Sequence, residues 1–383
     1  MAFPPQDRLI RKEVALGTLR ELQPPQDHMG LSLVPWMEVG SDDVIFDYMK
    51  GLADGLAPAR AEDAESELAQ KDDTYVGTGH ASIIDWSIKD HYDASDVTRY
   101  QEALLLQQRL GANAQTAFPV TVGSMAEELS RKIARDDSIR RKKLDNRVEW
   151  MIFQALETNA IAYNDGKIKF NVTFGRPANQ TDEAPTGDLW NLTTSDPIGD
   201  LENMQDYMYD TYGVRMTRAI AGRKVLRNII NSDRFAARSG LAGAGGGLPV
   251  DPRYLIDGWG VTAAAAVVEK ATGIKFIGPG EFNTYDSVYR TRPLGSNTVT
   301  NNRFMSEKKI IFLPDEGDVA ALDDAIGFGK VLTSPHPEGN WTAGFYEWEL
   351  ETHDPWGRDR GTGVKAFPVL PHMEWTYSMT VLP

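Results

Sequence analysis

The chain contains no cysteine. It can therefore form no disulfide, no thiolate nucleophile and no cysteine-ligated metal site, and such a composition suits a reducing compartment. The sequence also has no run of about 18 uncharged apolar residues, the length that a helix needs to cross a bilayer. Its first residues, MAFPPQDRLIRKEVAL, carry prolines and charges where a secretory signal needs an apolar segment. We expect neither export nor a membrane partner.

Recognised catalytic and metal-binding spacings are also missing from the sequence. The Gly-x-Ser-x-Gly elbow of serine hydrolases does not occur, and the histidines form no known ligand spacing such as HExxH. The glycines at 240–249 lack the Gly-Lys-Ser/Thr of a phosphate loop, which favours a flexible connection. Asp323 with Asp324, and Glu347 with Glu349, are paired like glycosidase carboxylates, but acidic chains contain many such pairs by chance. We predict no catalytic, cofactor-binding or metal site. The histidines, all assigned structural or surface roles, are His28, His80, His91, His336, His353 and His372.

The formal net charge is −15, from 55 acidic and 40 basic side chains. A chain of this charge repels nucleic-acid phosphates at long range, which argues against sequence-specific binding of DNA. One basic stretch differs from the rest, because eight Lys or Arg residues lie between Arg131 and Arg147 among three Asp residues. Their spacing of three and four residues favours a solvated helix face with ion pairs, and the alternative is a phosphate-facing patch.

The first part of the chain does not have the pattern of a compact domain. Residues 1–75 contain repeated prolines and short apolar clusters, as expected for an arm that lies on a partner surface. The one helix predicted in this arm covers 42–56, and an acidic run follows it. Weak alternation in 76–111 predicts an extended, two-stranded excursion, which turns helical at 101–111.

The strongest local signal in the sequence is a capping box, Ser124 with Glu127, which opens a helix. Apolar residues keep helical spacing from Met125 to about Tyr163, so the helix has about forty residues and a length of roughly 60 Å. The sequence Asp-Asp-Ser at 136–138 is a point where the helix could break into two pieces. Its second half is apolar on most faces, which predicts that neighbouring elements cover it on several sides.

The rest of the chain alternates between predicted strands and helices. A turn at 164–166 leads into a strand at 168–174 whose alternation predicts one buried face. Residues 176–200 are rich in Pro, Thr, Asp and Gly, which is typical of a linker between two structural units. The elements predicted beyond the linker are helices at 197–212, 218–235 and 258–273, a strand and turn at 274–282, a buried strand at 308–315, and terminal strands at 345–354 and 369–382.

This order of elements resembles the major capsid protein of lambda-like tailed phages, the protein E family, within the Hong Kong ninety-seven capsid fold. The resemblance rests on the 124–174 helix and hairpin with GKIKFNVTFG, on DPIGDLENMQDYM, on KATGIKFIGPGEFNTY with KKIIFLPDEG, and on VLPHMEWTYSMTVLP. It implies an α+β fold in which the last strand returns to the peripheral sheet. The implied parts are an N-terminal arm at 1–75, an extended loop at 76–115, a peripheral domain with a spine helix at 116–185 and 344–383, and an inserted axial domain at 186–343.

The resemblance also implies a function. The chain would be a structural subunit, not an enzyme, that assembles through hexameric and pentameric capsomers into an icosahedral head shell enclosing phage DNA without sequence-specific binding. Implied partners are portal and scaffolding proteins and a decoration protein; the implied location is the virion capsid, assembled in the host cytoplasm. Lys89 is a conceivable donor for a covalent cross-link between subunits, but no acceptor motif accompanies it, and cross-linking is not predicted.

Two other functions stay open at the level of sequence. An encapsulin-like compartment around a cargo enzyme would use the same kind of subunit. An acidic, Trp-rich glycan-active enzyme or carbohydrate-binding protein would instead be a monomer of 42.5 kDa with affinity for saccharides.

Overall fold

The fold is known from a computed structural model. It describes residues 12–49, 75–93, 122–166, 168–183, 189–232, 260–280, 283–292, 298–320, 327–353 and 356–383. Within these ranges the helices are α1 (Lys12–Glu21), α2 (Gly30–Leu33), α3 (Val122–Thr158), α4 (Pro197–Tyr212), α5 (Arg223–Ile230), α6 (Gly260–Thr272) and α7 (Glu316–Ala320). Short 3-10 turns lie at Ala178–Gln180, Pro337–Gly339 and Met373–Trp375.

The strands of the same ranges form two five-stranded sheets and four two-stranded ones. They are β1 (Trp36–Glu38), β2 (Asp43–Met49), β3 (Tyr75–Ser82), β4 (Ile84–Asp93), β5 (Ala160–Asn164), β6 (Lys169–Thr173), β7 (Thr181–Glu183), β8 (Met216–Ala221), β9 (Lys275–Phe276), β10 (Val288–Thr291), β11 (Thr300–Arg303), β12 (Lys309–Pro314), β13 (Lys330–Thr333), β14 (Pro335–His336), β15 (Thr342–Ala343), β16 (Phe345–His353), β17 (Trp356–Val369) and β18 (Tyr377–Thr380).

The two larger sheets have different strand orders. The first sheet runs β1-β13-β17-β16, with β4 paired to β17 on the side opposite β16. The second sheet runs β7-β18-β12-β8-β9. The hairpins β2–β3, β5–β6, β10–β11 and β14–β15 are separate two-stranded ladders. Helices and strands are mixed along the chain rather than strictly alternating, as in an α+β fold.

The predicted long helix is confirmed as α3, which is continuous over 37 residues. The acidic sequence at 136–138 does not break it, because Asp137 faces inward and pairs with Arg140 and Arg360. Ser124 lies inside the described helix, which includes Val122 before it, so the prediction of Ser124 as the N-cap is wrong. The helix ends where Asn159 takes a positive φ of 60°, a conformation that asparagine tolerates better than most residues.

Two apolar cores lie on either side of the second sheet. Strand β12 contributes to both, because successive side chains of a strand point to opposite faces. Ile311 and Leu313 join the core beneath α3, whereas Ile310 and Phe312 join the core beneath α4 and α5. The prediction of a buried strand at 308–315 is confirmed, and its two-sided burial explains its continuous apolar sequence.

Several predicted elements are confirmed and others are corrected by the structure. The helix at 197–212 is α4, with Pro197 in its first turn and Gly213 in the left-handed conformation after its end. The helix at 258–273 and the strand that follows it are also present as α6 and β9. The hairpin β5–β6 is present, although its buried face is incomplete because Ile168 is 47% exposed.

Three predicted elements are wrong in type or extent. Residues 42–56 are not a helix over their described part, because β2 pairs along its whole length with β3. The predicted helix at 218–235 is a strand, β8, followed by the helix α5. The terminal strand at 369–382 is a 3-10 turn followed by the short β18, which pairs with β12 and β7 and so joins the second sheet rather than the first. Tertiary pairing outweighed local periodicity at each of these places.

The two-stranded excursion predicted at 76–111 also differs from the structure. The expected excursion began at 76, but β3 pairs backward with β2 and β4 pairs with β17. The predicted helix at 101–111 lies outside the described residues.

Within the described residues, the N-terminal arm packs on its own subunit through 12–38, contrary to the expectation that the arm needs a partner surface. Leu16 and Leu19 of α1 are buried, and so are Met29 and Val34, which belong to the core beneath α3. Strand β1 then joins the first sheet in parallel with β13. The short apolar clusters between the prolines are enough to bind the arm to its own subunit, because they pack on surfaces that α3 and the first sheet form.

Aromatic side chains cover glycines across the β16–β17 ladder. Tyr346 lies opposite Gly363, and Trp348 lies opposite Gly361. A Cβ atom added at either glycine would overlap the facing ring. The glycines are therefore required by the close approach of the rings, and not by backbone angles.

We expect Gly363→Ala to lower the free energy of unfolding by about 1–3 kcal/mol, because the buried Tyr346 ring must move to admit the new methyl group. The matched control is Gly17→Ala in α1, where an added Cβ meets nothing within 4 Å. That change should raise stability by about 0.5–1 kcal/mol, since alanine is the better helix former. Urea unfolding of both variants checks the pair, and equal stability of Gly363→Ala and the parent would contradict the close packing.

Candidate functional site

A cluster of buried charges joins α3 to the first sheet. Arg360 is fully buried; it forms ion pairs with Glu347 on the neighbouring strand and, at 3.1 Å, with Asp137 of α3. Arg140 of α3 is 1% exposed and pairs with Asp137, and its Nε donates to Thr362 at 3.1 Å. These contacts tie the helix to the face of the sheet that it covers.

The carboxylates of this cluster are buried, which makes their ionised form less favourable. Burial raises the pKa of Asp137 above its usual value, against the lowering effect of Arg360 and Arg140. Burial likewise raises the pKa of Glu347, with Arg360 acting in the opposite direction. A buried ion pair gains little net stability over an apolar pair, but the loss of one partner leaves an uncompensated charge. The cluster therefore fixes how the helix sits on the sheet.

Two further contacts of α3 hold the N-terminal arm. Glu149 is buried and its carboxylate accepts backbone N–H groups of Met29 and Gly30, each at 2.9 Å, and the Tyr285 hydroxyl at 2.6 Å. About two turns earlier, Arg141 donates to the carbonyl of Leu19 and pairs with Asp145 at 3.0 Å. The arm is thus fixed to the helix at two points through charge-assisted hydrogen bonds.

The C-terminal end of α3 is closed by Arg176. Its guanidinium donates to the carbonyls of Leu156 at 2.8 Å and Glu157 at 3.2 Å, and to the Thr376 hydroxyl at 3.2 Å. Burial lowers the pKa of Arg176 to about 10, so the side chain stays charged at neutral pH. A cation at the last carbonyls of a helix complements the helix dipole and links α3 to the segment before β18.

The acidic pairs considered as glycosidase carboxylates do not form a site. Glu347 is bound by Arg360, and Glu349 by Arg358 at 3.0 Å, both within the β16–β17 ladder. Asp323 and Asp324 lie outside the described residues, as do the glycines at 240–249. No group of three or more potential metal ligands occurs among the residues that the structure describes. Across the same ranges, no helix has the length and apolarity to cross a membrane.

The histidines occupy separate positions. His28 is partly buried against the Phe304 ring, and burial lowers its pKa. His336 stacks on Tyr346 at 3.9 Å, and His372 is buried near Glu374. His91 contacts Asp359 at 2.6 Å, while His80 and His353 lie on strands β3 and β16.

Lys89 lies in an ion pair rather than beside a cross-linking partner. Its Nζ is 2.6 Å from Oδ2 of Asp359, and the same carboxylate accepts from His91. Their hydrogen bonds lower the pKa of Asp359, which keeps it ionised. Lys89 is therefore engaged in an ion pair within its own subunit.

The basic stretch at 131–147 divides between two roles. Arg140 and Arg141 are buried in the contacts described above, so the expectation of a solvated face is wrong for them. Lys142 and Lys143 are exposed, as that expectation required. The sequence signal for burial was the spacing of Asp137 with Arg140 and of Arg141 with Asp145 inside a helix with apolar periodicity. Because the same charge spacing also occurs on solvated helices, it did not indicate burial by itself.

Large apolar side chains are exposed at several edges of the subunit. Trp341 is 73% exposed and Leu350 is 55% exposed, both close to the outer strand β16. Trp341 and the preceding Asn340 have φ angles of 57° and 58°, the left-handed conformation that a bulky side chain rarely adopts. Residues held in sparsely populated backbone conformations cluster at functional sites.

A long helix lies across one five-stranded sheet, and a second five-stranded sheet packs against the same core. Solved structures with this fold belong to the Hong Kong ninety-seven-like capsid class. A prophage protein from E. coli CFT073 assigned as a capsid protein has the same fold, with a TM-score of 0.56, 13% identity and coverage of 100% of this chain and 99% of that one. A phage-related protein from Bordetella bronchiseptica RB50 gives a TM-score of 0.51 at 13% identity, covering 97% and 98%.

The chain belongs to the phage major capsid protein E family, whose sequence model matches residues 38–380. No curated protein matches the sequence. The resemblance to the protein E family is thereby confirmed, and with it the α+β capsid fold and a structural role in the phage capsid. The encapsulin-like alternative has weaker support than the phage capsid.

Proposed function

We propose that the chain assembles through hexameric and pentameric capsomers into an icosahedral head shell that encloses phage DNA, and that it does so without enzymatic activity. Assembly takes place in the host cytoplasm, with portal and scaffolding proteins and a decoration protein as partners. The proposed parts are an arm at 1–75, an extended loop at 76–115, a peripheral domain at 116–185 and 344–383, and an axial domain at 186–343.

One observation carries this proposal: the buried ionisable groups under α3 bind one another, while large apolar groups stay outside. Arg360, Glu347 and Asp137 hold the helix on the sheet and have no access to a substrate. Trp341 and Leu350 are exposed by more than half. A rigid plate with apolar edges is suited to heterologous contacts with copies of itself, which close into a ring or shell.

We further propose that Trp341 is an anchor of the contact between subunits. Tryptophan is enriched among the few residues that carry most of the binding energy of an interface. The occupant of its exposed surface is a second copy of this chain, because the family forms shells of repeated subunits.

Native mass spectrometry of the assembling protein tests the proposal. The expected spectrum contains species of five and six subunits of 42.5 kDa each before larger assemblies form. Dimers as the largest species, with no shells on electron micrographs, would count against capsomers. A monomer that binds a saccharide array would favour the carbohydrate-binding alternative, and a shell that encloses an enzyme instead of DNA would favour the encapsulin-like one.

A further inference from the structure

A cleft of about 510 Å³ lies between α3, β4 and the β10–β11 hairpin. Its cationic lining comes from Lys143 and Arg147 on the helix and from Arg290 and Arg292 on the hairpin. Among the described residues that line it there is no acidic side chain. In a chain whose acids outnumber its bases by 55 to 40, such a concentration of positive charge is unusual.

Aromatic rings hold Arg147 in place in the lining of the cleft. Its guanidinium carbon lies 4.9 Å from the ring centre of Trp86, 5.1 Å from that of Trp150 and 5.0 Å from that of Tyr163. Cation–π contacts stabilise the charge but use the faces of the guanidinium and leave its N–H edges available. None of the ion pairs among the described residues includes Arg147, Lys143 or Arg290.

A guanidinium fixed in this way is preorganised to bind an oxyanion. Carboxylate and phosphate oxygens accept two parallel N–H bonds from its fork, and the rotamer entropy has already been lost in the aromatic cage. Lys143 lies one helical turn before Arg147, and Arg290 faces the same cleft from the hairpin. The repulsion among these cations falls when an anion binds, so the cleft favours a ligand with several negative charges.

The chain itself carries a segment with the matching charge. Residues 62–73 include six acids and a single lysine, and they connect β2 to β3. The acids of another dense run are already engaged within the subunit: Asp315 accepts from Thr217, Glu316 pairs with Arg218, and Asp318 pairs with Arg215. A second copy presents 62–73 at a high effective concentration once subunits are neighbours in a shell.

We propose that the cationic cleft binds carboxylates of residues 62–73 from a neighbouring copy of the chain. The proposal rests on the proposed assembly for the source of the partner. It assigns a role in lateral contact to the hairpin β2–β3, which pairs only with itself among the described strands. It also explains how subunits of charge −15 attract one another at one place.

The test uses a labelled synthetic peptide of residues 61–74 and the full-length chain in unassembled form, with fluorescence anisotropy as the readout. The peptide should bind the parent chain, and Lys143→Glu with Arg290→Glu should weaken binding at least about tenfold. The matched control is Lys142→Glu with Lys169→Glu, two exposed lysines outside the cleft that give the same net charge. This control should change binding by less than about twofold.

Charge reversal on the peptide distinguishes direct contact from misfolding. A peptide with Glu62→Lys, Glu65→Lys and Glu67→Lys should bind the Lys143→Glu/Arg290→Glu chain better than the unchanged peptide does. Equal peptide binding by the parent and the cleft variant, or no binding by the parent, overturns the proposal. Preferential binding of a single-stranded oligonucleotide in the cleft overturns it in favour of nucleic acid. Because the peptide binds unassembled chains, the result is independent of whether shells form.

Discussion

Arg360→Met is expected to lower the free energy of unfolding by about 3–5 kcal/mol. The substitution keeps most of the side-chain volume but removes the charge that compensates Glu347 and Asp137. Both carboxylates lie where burial already raises the pKa, so each loses its main stabilising partner. Chemical denaturation with circular dichroism of α3 and the remaining helices measures the loss.

A surface ion pair provides the control for this substitution. Arg215 pairs with Asp318 at 3.4 Å and is 65% exposed, so Arg215→Met should cost less than about 1 kcal/mol. Adding Glu347→Gln to Arg360→Met should recover part of the lost stability, because the second change removes a charge left without its partner. Similar costs for the buried and the exposed arginine would show that the cluster does not hold the helix on the sheet.

Trp341→Gly is expected to impair assembly while leaving the subunit folded. Loss of a tryptophan anchor costs about 2 kcal/mol or more at a contact, which weakens each subunit–subunit association by about 30-fold. The isolated subunit should keep its stability within about 1 kcal/mol, because glycine adopts the φ of 57° without steric cost. Light scattering follows assembly, and thermal unfolding of the unassembled chain follows stability.

Asn340→Gly is the control that distinguishes the effect of losing the indole from the effect of changing the backbone conformation. Asn340 has the same left-handed conformation, so its replacement relieves the backbone without removing a ring. This variant should assemble like the parent. Normal assembly of Trp341→Gly would remove Trp341 from the contact, and a failure of both variants would assign the effect to the loop conformation.

Elements whose signals are local could be predicted from the sequence. The apolar periodicity of α3 correctly predicted one continuous helix despite the acidic residues near its middle. The bounds of α4 agree with Pro197 as a residue that starts helices and Gly213 as one that ends them. The capsid resemblance came from the order of such elements and not from any single motif. The resemblance therefore became stronger with each predicted element that follows the order of the capsid fold.

Elements that depend on distant partners could not be predicted. Strand β17 contains buried Arg360 and Thr362 alternating with Gly361 and Gly363, so over 360–363 its inward positions are polar and the positions between them have no side chain. Ion pairs with Asp137 of α3 and Glu347 of β16 make Arg360 buriable, and the rings of β16 cover the two glycines. The whole ionic site under α3 was missed for the same reason, since charge spacing alone does not indicate burial.

The central claim is that this chain is a subunit of a closed shell. Negative-stain electron microscopy of the purified protein, expressed alone and together with its neighbouring genes, tests it most directly. We expect closed shells of uniform diameter, or ring-shaped capsomers that close when the neighbouring gene products are supplied. A protein that remains a 42.5 kDa monomer at high concentration in both preparations would contradict the claim.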